Sequence, residues 1–543
     1  MKQITKSFAW AVLFAVLLIN KEMQAQPNLQ HSIYVKKKNC IDNLFGEPFL
    51  ARFIFTLPHS NGHKYITYPE YTPDSINFYS YSTVIAEING NYDTVWTKTY
   101  NGHWDELVEH IVELPNGNIL LAGYTESEDG GIVFGDKPGR HIWMLEVDTL
   151  GSFVKAKTFG SGELNDVSIT SDGYILLAGN TNNNVYEFTH VVLGSSSAAW
   201  IAKYDTAFHK VWIKVMDGSG EDGWTTIKEI MPNRYIVGFQ SNGTDTASVP
   251  LEIKGAGDLI VHYLDSAGNI LWKHRYGGVA NDAARLSAVD TNTKDVYFVS
   301  GFNEWNATGD ITYASGTCWV HKIDTLGNVK GSKAYGAPLN ITLPLDAKFY
   351  DNKLWIAASS VGTGGDIDPP PPGLMTSDKA WLAVVDTNTN LIGKYTFYVK
   401  EAACLFSQLF VNNGDIYING CAAKTSPMNS HDCDTTTMNH VFELKLGLAP
   451  LGIKEATKTA EKLFDLYPNP TENTLYLKVN EHYVGNSANI VIYSIEGKTV
   501  FRKNYTSIDA KISIETKNWM PGQYVVLFSD YKNTPYQIQF TKR

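Results

Sequence analysis

Charge of either sign is scarce in this chain. Asp, Glu, Lys and Arg make up 19% of its 543 residues, and 56 acidic side chains against 45 basic ones leave a net charge of −11. That sign argues against a nucleic-acid partner, which needs a basic face for its phosphates. Cysteine is rare as well: Cys40, Cys318, Cys404, Cys421 and Cys433 permit at most two internal bridges and leave one thiol over. The longest apolar run, Phe8 to Ile19, has twelve residues, short of the roughly 20 that cross a bilayer. No transmembrane segment is therefore expected in the mature chain. Motif-borne catalysis is missing too, with no His-Glu-x-x-His, no Gly-x-Ser-x-Gly and no phosphate loop.

What is plentiful is apolar and aromatic. Hydrophobic residues reach 43%, with 13 Trp, 30 Tyr and 24 Phe, enough for a large core and a lean toward an all-β protein. Lys2 and Lys6, the apolar run and Met23-Gln24-Ala25 follow the order of a secretory signal peptide. Cleavage is expected after Ala25, so the mature chain begins at Gln26 and is exported.

Internal repetition dominates the next 420 or so residues, and repeats of this length point to solenoids, arrays or propellers. Trp143-Met-Leu-Glu-Val-Asp148, Trp200-Ile-Ala-Lys-Tyr-Asp205, Trp319-Val-His-Lys-Ile-Asp324 and Trp381-Leu-Ala-Val-Val-Asp386 are one motif, and Ile260 to Asp265 is a fifth copy. Their aspartates lie 57, 60, 59 and 62 residues apart, and Val84–Asn89 and His440–Lys445 extend the series to seven. Each copy is a period-2 strand leading into a turn such as Asp148-Thr-Leu-Gly151, where Asp bonds the turn backbone and Gly supplies positive φ. A second strand follows. After it come an alternating strand, a turn such as Pro115-Asn-Gly-Asn118, and a strand ending in Leu-Leu-Ala-Gly123 or Leu-Leu-Ala-Gly179.

Four short strands per repeat describe a blade, so residues 26–447 read as a seven-bladed β-propeller. With strands A to D counted from the channel outward, the last repeat lacks a D strand. Ser32–Lys38 alternates and has no partners of its own. The amino terminus is therefore expected to close the seventh blade and remove the ring's open edge. The repeats resemble the propeller-type repeats of exported Bacteroidetes proteins, with a tryptophan-led strand, an Asp-x-x-Gly turn and a Leu-Leu-Ala-Gly strand. The resemblance speaks to fold and leaves function open.

A polar linker, 448–462, leads to a separate segment. Tyr467-Pro468-Asn469-Pro470 precedes alternating strands, then Gly497-Lys498, Gly522-Gln-Tyr524 and a basic terminus. The pattern predicts a small β-sandwich over 463–543. That order closely resembles the type A sorting domain of the type IX secretion system. The resemblance implies passage across the outer membrane, the secretion machinery as a partner, and a secreted or cell-surface location. Asn518-Trp-Met-Pro, ahead of Gly522, departs from the small-residue version usual in that family.

Candidate sites follow from blade geometry. B-to-C and D-to-A connections emerge on one face, and the B-to-C loops are long in every blade, as in Thr125–His141 and Ser241–Asp258. Loops of this length usually carry function, which places recognition on that face. The D-to-A connections also hold Glu47, Asp105, Glu163, Asp222, Asp282, Asn340 and Glu401 at a similar offset. Pointing inward, they would form a negative ring able to hold a hard cation or an amine. The competing reading has each carboxylate capping its own turn. Further calcium candidates are Glu126, Glu128 and Asp129, Asp366 and Asp368, and Asp432 and Asp434, without the spacing of a dedicated calcium loop. Tyr186, Phe188, Trp305 and Tyr313 are candidates for sugar stacking. Strand placement suggests bridges Cys404–Cys421 and Cys40–Cys433, with two other pairings and the reduced state open. These features favour a non-enzymatic binding module for a glycan, protein or matrix ligand. An extracellular hydrolase or lyase and a structural adhesion or surface-layer component are the alternatives.

Overall fold

A computed structural model describes residues 29–35, 54–73, 79–89, 94–127, 140–182, 188, 197–216, 222–243, 257–279, 282, 285–301, 309–338, 340–369, 378–397, 402–424, 440–446, 464–481, 484–494, 499–530 and 536–543. The chain forms two compact units, Met1–Leu446 and Gly447–Arg543. The expected signal peptide and linker lie outside the described residues.

In the first unit the described residues form seven antiparallel sheets of four strands, A to D; the fifth adds the two-residue strand Tyr313–Ala314, parallel to Val329–Tyr335. The A strands are Phe55–Pro58, Glu106–Glu113, Glu163–Ile169, Asp222–Met231, Leu286–Val289, Thr342–Tyr350 and Ala402–Asn412. Each lies against the A strand of the next sheet, and the seventh lies against the first. The sheets stand radially around a circle, a β-propeller with its A strands innermost.

The circle is sealed by the chain's own beginning. Leu29–Val35 pairs antiparallel with His440–Leu446 as the D strand of the seventh sheet, three residues earlier than the alternation placed it. Side chains tie the seventh sheet to the first: the Gln408 Oε1 accepts the Thr56 N–H at 2.6 Å, and the Asn419 amide donates to the Thr56 hydroxyl at 2.7 Å. Lys64 Nζ meets Glu443 Oε1 at 2.7 Å, with both side chains largely enclosed, and lies over the Tyr417 ring at 5.0 Å.

Neighbouring sheets adhere through the repeated tryptophans. Trp143, Trp200, Trp319 and Trp381 are fully buried, each against the preceding sheet. Trp143 packs with Tyr65 and Tyr100, Trp200 with Phe159, Trp319 with Tyr276, and Trp381 with Tyr297 and Tyr335. Burying a side chain of this size contributes about 2 kcal/mol or more.

The C-to-D turns make a second seam. In Asp148, Asp265 and Asp324 one carboxylate oxygen accepts the N–H groups two and four residues on, at 2.7–2.9 Å. The turn's next carbonyl is taken by the preceding sheet: Trp212 Nε1 donates to Ser266 and Trp272 Nε1 to Thr325, at 3.0 and 3.1 Å. Gly151 has φ +71, and a Cβ there would lie 2.5 Å from the Trp96 ring. The glycine is needed for the turn and for the seam alike.

The register of the seventh sheet bears on the cysteines. Cys404 stands opposite Ala422 and Cys421 opposite Leu405. The two are one step out of register. Cys40 and Cys433 lie outside the described residues. Cys318 is a buried free thiol, pushed up to about 12 by burial.

In the second unit, one sheet joins Phe464–Tyr467, Thr474–Val479 and Lys511–Glu515, and another joins Thr499–Tyr505, Ala488–Ser494, Gly522–Asp530 and Tyr536–Lys542. Alternating Leu475, Leu477, Ile490, Ile492, Val526 and Phe528 supply a common core.

Glu443→Ala is expected to lower stability by about 3 kcal/mol, because it removes the carboxylate paired with the largely enclosed Lys64 ammonium. Thermal unfolding measures the loss, and the double variant Lys64→Met, Glu443→Leu should recover most of it.

Candidate functional site

Five of the A strands carry a bulge, at Glu109, Asn165, Trp224–Thr225, Leu345 and Ser407. A bulge removes a rung of the ladder and leaves nearby backbone groups in need of partners. The residue following each bulge points the same way around the channel, and in four sheets it reaches the next A strand's backbone. His110 bonds the backbone of Asn165. Asp166 Oδ2 accepts the Ile227 N–H at 2.9 Å and the Thr226 hydroxyl at 2.7 Å. Asp346 Oδ2 accepts the Leu409 N–H at 2.7 Å, and Gln408 completes the circle at Thr56. Thr226 instead bonds the Ser287 hydroxyl.

The channel wall is therefore ionisable. Lys228 Nζ lies 2.5 Å from Asp166 Oδ1, and Lys348 Nζ 3.9 Å from Asp346 Oδ1. His110 is pushed down to about 4, by enclosure first and then by Lys228 and Lys348, against the pull of Asp166, so it is neutral near pH 7. Burial alone would raise Asp166, but Lys228 and His110 outweigh it and hold the carboxyl below its usual range. Asp346 is raised, because its burial outweighs the more distant Lys348.

Nearer the long-loop face, two carboxyls of the second sheet's A strand are displaced upward by burial, Glu106 to about 7 and Glu109 to about 8. Glu106 is satisfied by the Gly102 N–H at 2.6 Å and the Thr125 hydroxyl at 2.9 Å. Glu109 bonds the Leu164 backbone, while its Oε2 is buried with no hydrogen-bond partner. Arg140 stands close by, 3.9 Å over the Tyr124 ring and 3.1 Å from Glu126 Oε1. Two sheets on, Trp224 is 39% exposed, with the Arg285 guanidinium 4.2 Å over its ring.

The described residues among those expected to ring the channel mouth make these contacts. Asp105 Oδ1 accepts the Tyr81 N–H at 2.9 Å, and Glu163 faces Arg140 at 3.9 Å. The Asp222 N–H donates to the Ser197 carbonyl at 3.0 Å and the Asp282 N–H to Gly257, while the Asn340 carbonyl accepts the Thr317 hydroxyl at 3.1 Å. In each case the partner sits at or just before the C strand of the preceding sheet, at the root of a long loop or in the strand's first turn. Their recurrent offset anchors those roots. Glu47 and Glu401 lie outside the described residues.

The loop acids are also occupied: Glu126 by Arg140, Asp366 by the Ser315 hydroxyl and the Gly336 N–H, and Asp368 by Lys394. Glu128, Asp129, Asp432 and Asp434 lie outside the described residues. Among the described residues, no three His, Cys, Asp or Glu side chains converge to hold a metal ion. Phe188, expected as a stacking platform, is instead fully buried 5.5 Å from Trp200, because Gly160 leaves room for its ring. Tyr186 and Trp305 are outside the described residues, and Tyr313 contributes backbone to the fifth sheet's short strand.

In the second unit, Tyr467 stacks on Tyr476 at 5.5 Å with Lys511 over both rings. The Asn469 Oδ1 accepts the Thr541 N–H at 2.9 Å, and Thr471 exchanges backbone bonds with Thr541 and Arg543. The Tyr-Pro-Asn-Pro segment thereby pins the basic terminus. Tyr524, two residues into the strand opened by Gly522, is buried against Phe540 and Trp519 and donates to the Met520 carbonyl at 2.7 Å. Trp519, the unusual residue before Gly522, packs in this cluster. Gly497 and Lys498 lie outside the described residues.

Residues 465–538 match the family described as the secretion system C-terminal sorting domain. The C-terminal unit is a type IX secretion sorting domain. The sorting domain implies export, to the cell surface or beyond, and contact with the secretion machinery. No helix among the described residues is long and apolar enough to cross a membrane. No curated protein matches the chain. Among solved structures it is similar to the Dos1 propeller, at 8% identity over 70% of this chain and 86% of that one, TM-score 0.38. It is also similar to Penicillium chrysogenum α-L-arabinanase complexed with arabinobiose, at 10% identity over 67% and 99%, TM-score 0.38. A third is Pyrococcus horikoshii acylaminoacyl peptidase, at 11% identity over 80% of this chain, TM-score 0.39; the chain spans 59% of the peptidase's length.

A carboxyl raised in the folded state contributes stability that is full below its unfolded pKa, here the ordinary 4.5, and that is lost as pH rises through about 8. Glu109→Gln should thus match the wild type near pH 4 and exceed it at pH 9 by at least about 1.4 kcal/mol, one pKa unit's worth. Chemical denaturation at the two pH values reads the difference. Deleting residues 465–538 is expected to leave the protein in the periplasm, as cell fractionation would show; unchanged surface display would overturn the sorting role.

Proposed function

We propose that the exported propeller is a non-enzymatic binding module that captures an extracellular glycan, protein or matrix component on its long-loop face. The observation that carries this reading is the asymmetry of the ring. On the short-turn face, the Asp-x-x-Gly turns spend their carboxylates on their own backbone and their carbonyls on the neighbouring sheet. That face is committed to holding the circle together. The opposite face carries the long B-to-C loops, whose roots are anchored by Asp105, Glu163, Asp222, Asp282 and Asn340, around a polar channel mouth. Anchored roots present variable loops from a rigid frame, the usual arrangement of a recognition surface.

A second reading, an extracellular hydrolase or lyase, draws on Glu106 and Glu109, carboxyls raised to about 7 and about 8 and thus able to donate a proton near neutrality. The binding reading needs no further group.

The full exported chain, applied to arrays of glycans and extracellular proteins with calcium and with chelator, tests the proposal. Binding to one class is expected, and replacement of residues 128–139 and 244–256 by Gly-Ser-Gly should abolish it without changing the melting temperature. Capture that survives both replacements would overturn the long-loop face as the site.

A further inference from the structure

Trp224 breaks two rules at once. Its φ is +46 inside the strand Asp222–Met231, whereas the other non-glycine residues of positive φ among those described, such as Phe208, Asn233 and Thr389, occupy turns. A bulky side chain in the left-handed region is strained, and such strain collects at functional sites. The residue is also left 39% exposed, so packing does not repay the conformation.

Its neighbours supply polar groups. Thr225, in the same bulge, donates its N–H to Asn165 Oδ1 at 3.2 Å, and Asn165 is the bulge residue of the third sheet. Glu109, the bulge residue of the second sheet, bonds the adjoining Leu164 backbone and keeps Oε2 buried and unpartnered. Three successive bulges thus place an aromatic face, an amide and an unsatisfied carboxyl along one arc of the channel mouth. Arg285 covers Trp224 at 4.2 Å from one side.

We propose that this arc, Trp224 backed by Arg285 with Asn165 and Glu109 farther along it, is a subsite for consecutive uncharged sugar rings of a glycan. Such a ring has an apolar C–H face suited to the electron-rich face of an indole. Its hydroxyls both donate and accept, which suits the polar side chains of Asn165 and Glu109 along the arc. The subsite rests on the long-loop face being the binding face and names the ligand class for it.

Titration of the full exported chain with cellohexaose, laminarihexaose, xylohexaose, mannohexaose and chitohexaose, followed by tryptophan fluorescence and calorimetry, tests the subsite. At least one is expected to bind. Trp224→Gly, which accepts positive φ without strain, should keep or raise the melting temperature while weakening binding about tenfold or more. Glu109→Leu should weaken binding as well, and Trp224→Phe should retain part of it. Oligosaccharide affinity unchanged in Trp224→Gly would overturn the subsite and leave the long-loop-face reading standing. A fall in melting temperature in Trp224→Gly would assign the residue to the fold and overturn it too. Binding of proteins but no oligosaccharide would overturn the sugar assignment, whereas capture of nothing at all would bring down the broader reading with it.

Discussion

The inner strands of a propeller face a narrow channel, and there the chain must satisfy backbone groups that no further strand can pair. Here the bulges make that demand explicit and the adjacent sheet answers it. Asp166 takes up the N–H of Ile227, Asp346 that of Leu409, and Gln408 that of Thr56. A buried N–H without a partner costs on the order of 1–3 kcal/mol, so each such bond locks one sheet to the next. The last of these joins residues 352 positions apart and completes the circle.

The same constraint accounts for the Leu-Leu-Ala-Gly strands. A Cβ on Gly123 would lie 2.0 Å from the Leu107 carbonyl, and one on Gly179 2.0 Å from the Glu163 carbonyl. In these two sheets the bulge brings the A strand onto its B-strand neighbour, and glycine leaves the room. In the fourth sheet Phe239 stands at the corresponding place, and that is the bulge in which Trp224 adopts positive φ. Held at the channel by bulge contacts and at the short-turn face by Trp212 and Trp272, the sheets leave the remaining face free to vary.

The repeats made the fold legible, because a period near 60 with alternating strands has few solutions. The site was harder to read. The acidic offset before each A strand is a true periodicity, but Asp105 and Glu163 serve the roots of the preceding sheet's loops. Bulges have no such signature: one extra residue in Glu106–Glu113 or Asp222–Met231 leaves the apolar pattern nearly intact while redirecting Glu109 and Trp224. A single step of register separates Cys404 from Cys421 in the same way. Phe188 looked like a loop aromatic because Gly160, which admits it to the core, lies 28 residues away.

By itself the sequence determined that the chain is built of repeated four-stranded sheets, that a strand from its start is needed to finish the last of them, and that its tail carries a sorting domain. These are properties of local pattern and of copy number, which survive without coordinates. Tertiary structure decided which polar side chains meet around the channel and which are spent holding loops. That choice depends on contacts between residues about 60 positions apart, in strands whose alternation is the same whichever neighbour they touch.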